Sequence, residues 1–149
     1  TAKPVLGINP AEKLLTNGIR GSLKYSDFEW CSWTNNDSVS FTIDLLKPEV
    51  LNTLTLGCIT NNGMAIHKPA SVKVEVSDDN SNFREAAMQS FTPEEIFREG
   101  NFIENLPLKL GGTQGRYVRV SAKGPGVCPA SHVRSGQASR IFFDEVMLE

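Results

Sequence analysis

Cys128 and His132 stand four residues apart in "GVCPASH" (126–132), and a thiol beside an imidazole can be a nucleophile with its base or part of a metal centre. A zinc centre takes about four ligands, normally supplied as paired short spacings such as C-x-x-C with H-x-x-x-H. One such pair is present, while His67, Cys31 and Cys58 each lie alone in sequence, which weighs against zinc. A nucleophile needs the ring to reach the thiol. Pro129 favours an extended or turn backbone, and four residues of extended chain would hold the two groups apart. Two acidic pairs invite a glycosidase reading, in which carboxyl groups face one another across a sugar. Asp144 and Glu145 fall on a strand, where neighbours point to opposite faces, and Glu94 and Glu95 are explained as charge at a helix N-terminus. "GGTQGR" (111–116) lacks the lysine and the strand-to-helix setting of a phosphate loop and reads as a turn before a strand. Neither G-x-S-x-G nor H-E-x-x-H occurs, so these residues point away from an enzyme confined to this chain.

The elements that must position them follow period-two alternation. "VSFTIDL" (39–45) sets Val39, Phe41, Ile43 and Leu45 on one face, and in "LTLGCI" (54–59) Leu54, Leu56 and Cys58 share a face, making Cys58 a small core residue. "ASVKVEVS" (70–77) turns Val72, Val74 and Val76 inward, and "DDNSN" (78–82) supplies a hairpin corner before Phe83 returns to the core. Further strands are expected in "RYVRVSA" (116–122) and "RIFFDEVMLE" (140–149). Two short helices are signalled. Thr92, Pro93, Glu95 and Gly100 mark one by N-cap, first turn, capping box and stop; Asn9, Pro10, Glu12 and Asn17-Gly18 mark the other. Many short strands divided by turns predict an all-β sandwich or barrel.

The totals agree with one globular domain. The 149 residues suit a single domain spanning 1–149, and 40% hydrophobic with 21% charged residues is ordinary globular composition. A net charge of −2 removes the basis for nucleic-acid or anionic-membrane binding through a broad basic face, and no apolar run reaches a bilayer span, so membrane insertion is not expected. "TAKPVLGINP" lacks the pattern of a signal peptide. Three cysteines allow at most one internal bridge and leave the compartment open on that ground; "NDS" at Asn36 is a glycosylation sequon only in a glycosylating host.

In order, "LLTNGIRGS" (14–22), "FEWCSW" (28–33), "VSFTIDL", "HKPASVKVEVSDDNSNF" (67–83), "GRYVRVSAK" (115–123) and "FFDEV" (142–146) resemble the discoidin, or coagulation-factor type C, domain, whose bacterial form is the family 32 carbohydrate-binding module. "AKGPGVCPASH" (122–132) with "IFFDEVMLE" is similar to the C-terminal segment of bacterial, Bacteroides-type beta-N-acetylhexosaminidases, or chitobiases. The resemblance implies an eight-stranded jelly-roll β-sandwich whose end loops hold a small ligand. It implies a non-catalytic accessory domain of a periplasmic, cell-surface or secreted glycoside hydrolase, with two partners: a galactose-, GalNAc- or GlcNAc-type glycan and the catalytic domain of the same polypeptide. The alternative is a structural or protein-interaction module packed on that catalytic domain, its sugar site decayed.

Sugar binding needs an aromatic face and a few fixed hydrogen-bonding groups. The carbohydrate-binding candidates are Trp33, Tyr25, Asn61, Asn62, His67, His132 and Arg134, with Phe28 a further aromatic and Trp30 expected in the core. Relatives commonly carry a Trp where this chain has Ser131 and a Trp-Ile-Phe run where it has Met64 to Ile66, which thins the platform. The resemblance also implies a structural calcium ion and no other cofactor. Asn17 stands where relatives use Asp, Ser22 matches their hydroxyl and Glu145 their last acid; the neutral Asn17 weakens such a site. Asn17 reads equally as a helix C-cap and Glu145 as a paired surface acid.

Overall fold

The computed structural model describes residues 11–33 and 38–149, so the N-cap signals Asn9 and Pro10 and the sequon residue Asn36 lie outside the described residues. Six strands form the framework: β1 (Cys31–Trp33), β2 (Val39–Asn61), β3 (Ser71–Ser77), β4 (Arg84–Ser90), β5 (Asn101–Lys123) and β6 (Ile141–Leu148). Two short helices accompany them, α1 (Ala11–Leu14) and α2 (Pro93–Ile96), with a 3-10 turn at Asn62–Met64. None of the helices is long and apolar enough to cross a membrane among the described residues.

Among the described residues the eight-stranded jelly roll that the resemblance implies is delimited as six strands, because β2 and β5 are each continuous through two arms that serve both layers. Hydrogen bonding runs in the order β1-β6-β2-β5-β3-β4. One arm of β2 (53–61) pairs with residues 101–109 of β5 and with β6, while its other arm (39–44) pairs with 117–122 of β5, which in turn pairs with β3. The register breaks between Asp44 and Glu49 and between Leu51 and Thr53, where β2 turns the corner. Opposite that corner, Gly111 and Gly112 hold φ of +65° and +76°, a region that only glycine enters freely. "GGTQGR" is thus a bend inside one continuous strand, not a turn before a new one.

The core lies between the arms. Leu54, Leu56, Cys58, Val72, Val74, Val76, Leu106, Leu108, Val118 and Val120 are buried there, as the alternation requires, each side chain worth about 1.5–3 kcal/mol in burial. A second cluster of Trp30, Ile59, Ile66 and Phe142 fills the outer face of the first layer. Phe83 departs from expectation: it is half-buried outside both clusters, beneath the Arg119 guanidinium 3.5 Å from its ring centre. α2 begins as expected, Thr92 Oγ1 accepting the Glu95 N–H at 3.3 Å while the Thr92 N–H donates to Glu95 Oε2 at 2.7 Å.

Asp144 and Glu145 do not diverge as strand neighbours should. Between the β2–β6 pairs Leu56↔Val146 and Cys58↔Phe143, β6 has one residue more than β2, and this bulge sends both carboxylates to the same N-terminal loop. Asp144 Oδ2 accepts from Arg20 Nε at 2.7 Å and from the Gly21 N–H at 2.9 Å, while Glu145 Oε2 accepts from the Gly18 N–H at 2.9 Å. Gly57 leaves room for Asp144, whose Oδ1 would collide with any Cβ there. Both acids thus anchor a loop.

Candidate functional site

Three segments meet at one end of the sandwich: the turn after β2, the end of α2, and the loop 124–140 between β5 and β6. They enclose a cleft of about 390 Å³ lined by Asn62, Phe97, Glu99, Pro129, Ser131, His132 and Val133. The long loop is closed on itself. The Cys128 N–H donates to Gln137 O at 2.9 Å and the Gly136 N–H returns to Cys128 O at 3.0 Å. The His132 N–H donates to Pro129 O at 3.0 Å, a tight turn, so Cys128 and His132 are brought close instead of being held apart by extended chain. The loop is then fastened to the segment after β2: Arg134 Nε donates to Gly63 O at 2.7 Å, the Arg140 N–H to Ala65 O at 2.9 Å, and the His67 N–H to Arg140 O at 3.0 Å.

That fastening carries His67 to the pair it lacked in sequence. Ligand atoms of His67, Cys128 and His132 all lie within 4.8 Å of one another. His67 is 0% exposed and His132 9%, and their rings meet edge to face with centroids 4.9 Å apart; the Phe97 ring stands 5.0 Å from His67. Burial, then the adjacent His132, pushes the His67 pKa down to about 4, so the ring is neutral at physiological pH. The Ile96 carbonyl weakly favours its protonated form, yet neither nitrogen holds a hydrogen bond of ordinary geometry. His132 Nδ1 accepts the Arg134 N–H at 2.9 Å, which places the ring proton on Nε2, a buried donor without a partner. Asn62 Oδ1 is a buried acceptor in the same condition. Burial raises the Cys128 pKa, which weighs against a reactive thiolate.

The other expected residues are dispersed. Trp33 is 3% exposed and packs in the core, 5.5 Å from the Phe143 ring, so it offers no face to a sugar; that expectation is corrected. Both faces of β1 are covered, which leaves Trp30 and Trp33 in opposite clusters. Tyr25 is half-buried with its ring edge-on to Phe142 at 6.2 Å, against the second cluster. Asn61 closes the turn through backbone bonds with Ile66, and Arg134 is exposed with Nε spent on Gly63. Met64 and Ile66 belong to the second cluster, away from the cleft lining. Among the cleft residues the sequence did not flag are Val133 and, hidden behind the helix signature of "TPEEIFREG", Phe97 and Glu99.

Of the three calcium candidates, Asn17 and Glu145 bracket one turn. Asn17 Oδ1 accepts the Ile19 N–H at 2.8 Å beside the Gly18–Glu145 bond, whereas Ser22 Oγ donates to Asp27 at 2.5 Å. Burial raises the Glu145 pKa, and the neighbouring Asp144 adds to it. Glu145 is a buried carboxylate, an oxygen donor of the kind a hard cation takes, although Asn17 and Ser22 bring no further charge.

Solved structures resemble this fold. The C-terminal domain of a chitobiase from Bacteroides fragilis shares 18% identity over 100% of this chain and 88% of that one, with a TM-score of 0.58. A pectin-binding carbohydrate-binding module shares 12% identity over 100% and 92%, TM-score 0.58. CBM32-1 from a family 31 glycoside hydrolase of Clostridium perfringens shares 10% over 99% and 92%, TM-score 0.54. At these identities the likeness is one of fold. No curated protein matches the sequence. The sequence model of the F5/8 type C domain matches residues 7–135, most of the chain, and with the sandwich now described the chain belongs to the F5/8 type C, or discoidin, family.

Proposed function

We propose that this domain is a non-catalytic carbohydrate-binding module of a secreted, periplasmic or cell-surface bacterial glycoside hydrolase, of the chitobiase type, and that it holds a galactose-, GalNAc- or GlcNAc-type sugar in the cleft beside α2. The observation that carries this reading is a set of unspent polar atoms beside an aromatic edge: Asn62 Oδ1 and His132 Nε2 have no partner, and Phe97, Glu99 and Ser131 line the same space. A sugar hydroxyl both donates and accepts, so one ring satisfies both atoms where an apolar ligand satisfies neither. Few contacts and one non-histidine aromatic in the cleft lining, Phe97, predict weak binding, millimolar to high micromolar. Weak contact suffices for an accessory module, since tethering raises the effective concentration of enzyme at its polymer. The chitobiase domain and the glycoside hydrolase module among the structural neighbours support this setting.

Calorimetric titration of galactose, GalNAc and GlcNAc into the isolated domain tests it. Asn62→Ala and His132→Ala are each expected to weaken binding by about 10-fold, the cost of one lost hydrogen bond to a desolvated partner. Flat titrations across a broad glycan panel at high sugar concentration overturn the reading. In the second reading the domain packs on its catalytic partner and its sugar site has decayed; Ser131, in place of a larger side chain at the rim, favours it.

Calcium belongs to the same proposal at the other place, held by Asn17, Ser22 and Glu145, with the buried Glu145 carboxylate as its one anionic ligand of the three. Thermal melts in calcium are expected to exceed those in EDTA by a few degrees, since an ion that binds only the folded state stabilises it. Superimposable melts contradict it.

A further inference from the structure

We propose that His67, Cys128 and His132 form a site for a borderline-soft divalent metal ion, zinc first, behind the sugar cleft. The inference does not rest on the glycan reading, and where the metal is bound His132 Nε2 is spent on it instead of on a sugar hydroxyl. Among the described residues this is the one group of three His, Cys, Asp or Glu side chains whose ligand atoms converge, all within 4.8 Å. Buried polar atoms are almost always hydrogen-bonded, yet neither nitrogen of the fully buried His67, which has the Ile96 carbonyl nearby, nor Nε2 of His132 makes a hydrogen bond of ordinary geometry. One ion answers nitrogens from both rings.

The donor set selects the metal. Two imidazoles and a thiolate suit zinc, cobalt or copper and do not suit calcium or magnesium, which take oxygen. Tetrahedral ligands at zinc bond lengths stand about 3.5 Å apart, so the cluster contracts by no more than about 1.3 Å on binding. Two ligands belong to the closed 128–137 loop and the third to the segment that the loop grips, so small loop adjustments suffice. Binding releases one proton, that of the Cys128 thiol, as the sulfur–metal bond forms. Ligation through His132 Nε2 moves the ring proton to Nδ1, and the Arg134 N–H contact is given up. His132 also lines the cleft, so water completes the fourth position from the solvent side.

The test is titration of the metal-free, reduced domain with zinc, and separately with cobalt as a coloured substitute, in the absence of sugar. The expected result is one equivalent of zinc bound, and a cobalt complex showing a thiolate-to-cobalt charge-transfer band with the intense visible bands of a tetrahedral site. Cys128→Ser is expected to abolish the thiolate band and weaken zinc binding at least about 10-fold. Circular dichroism checks that the variant is folded; if it is not, His132→Gln at the loop rim carries the test through the same loss of zinc affinity. Absence of the thiolate band in folded wild-type protein, or its persistence in Cys128→Ser, overturns the proposal. So does unchanged zinc affinity in His132→Gln.

Discussion

Burial holds His67 neutral down to about pH 4, whereas in the unfolded chain the ring takes up its proton near 6.5. Between those values the unfolded state binds the extra proton, so stability is complete above pH 6.5 and is lost as pH falls toward 4, by on the order of 3 kcal/mol. The groups facing the ring are His132 and Cys128, neither of which supplies a compensating negative charge in the metal-free protein. Urea unfolding in EDTA at pH 7 and pH 4.5 is expected to show this loss in wild type and a smaller one in His67→Phe; equal losses in both contradict the assignment. Trp33 teaches the limit of reading single residues. Core and sugar platform both call for an aromatic side chain, and the sequence does not reveal that β1 is covered on both faces. Trp33→Ala is expected to cost about 3–5 kcal/mol by leaving a cavity, with sugar affinity of the folded protein unchanged. Denaturation and titration of the same variant separate the two, and lost affinity with undiminished stability would return Trp33 to the site.

At the scale of elements, whatever depends on local signals was legible. Val72, Val74 and Val76 face the core as alternation requires, and the Thr92–Glu95 capping box forms around Pro93. Thr92→Ala is expected to destabilise the domain by about 1 kcal/mol and, because α2 delivers Phe97 to the cleft, to weaken sugar binding as well. A melting curve and a sugar titration on that variant check the two effects, and wild-type values in both contradict the role given to the cap. The first arm of β5 is harder to read, since Pro107 interrupts it; this arm pairs with β2 and lies at the edge of its layer, where a missing N–H is tolerated. The β6 bulge and the convergence of His67 with Cys128 and His132 depend on contacts between distant segments. No spacing within one short stretch encodes them, which is why a metal reading looked incomplete from sequence.

For the whole molecule, the sandwich is the frame that brings its end loops together. The two long strands bind the layers into one covalent frame, and loops 61–67 and 124–140 meet where that frame ends. Under the proposed function, the module changes where its enzyme resides, not its chemistry. On that proposal, removing the domain from the parent glycosidase is expected to leave turnover of a small chromogenic N-acetylglucosaminide unchanged while reducing retention on polymeric glycan. Loss of catalytic-domain stability with unchanged retention would favour the packing module instead. The most direct measurement is a nuclear magnetic resonance titration of the isotopically labelled domain with GalNAc, GlcNAc and galactose. The account predicts saturable shifts concentrated at Asn62, Phe97, Glu99, Ser131 and His132, with Trp33 and Tyr25 little changed; shifts that are absent at high sugar, or that cluster away from this cleft, would contradict it.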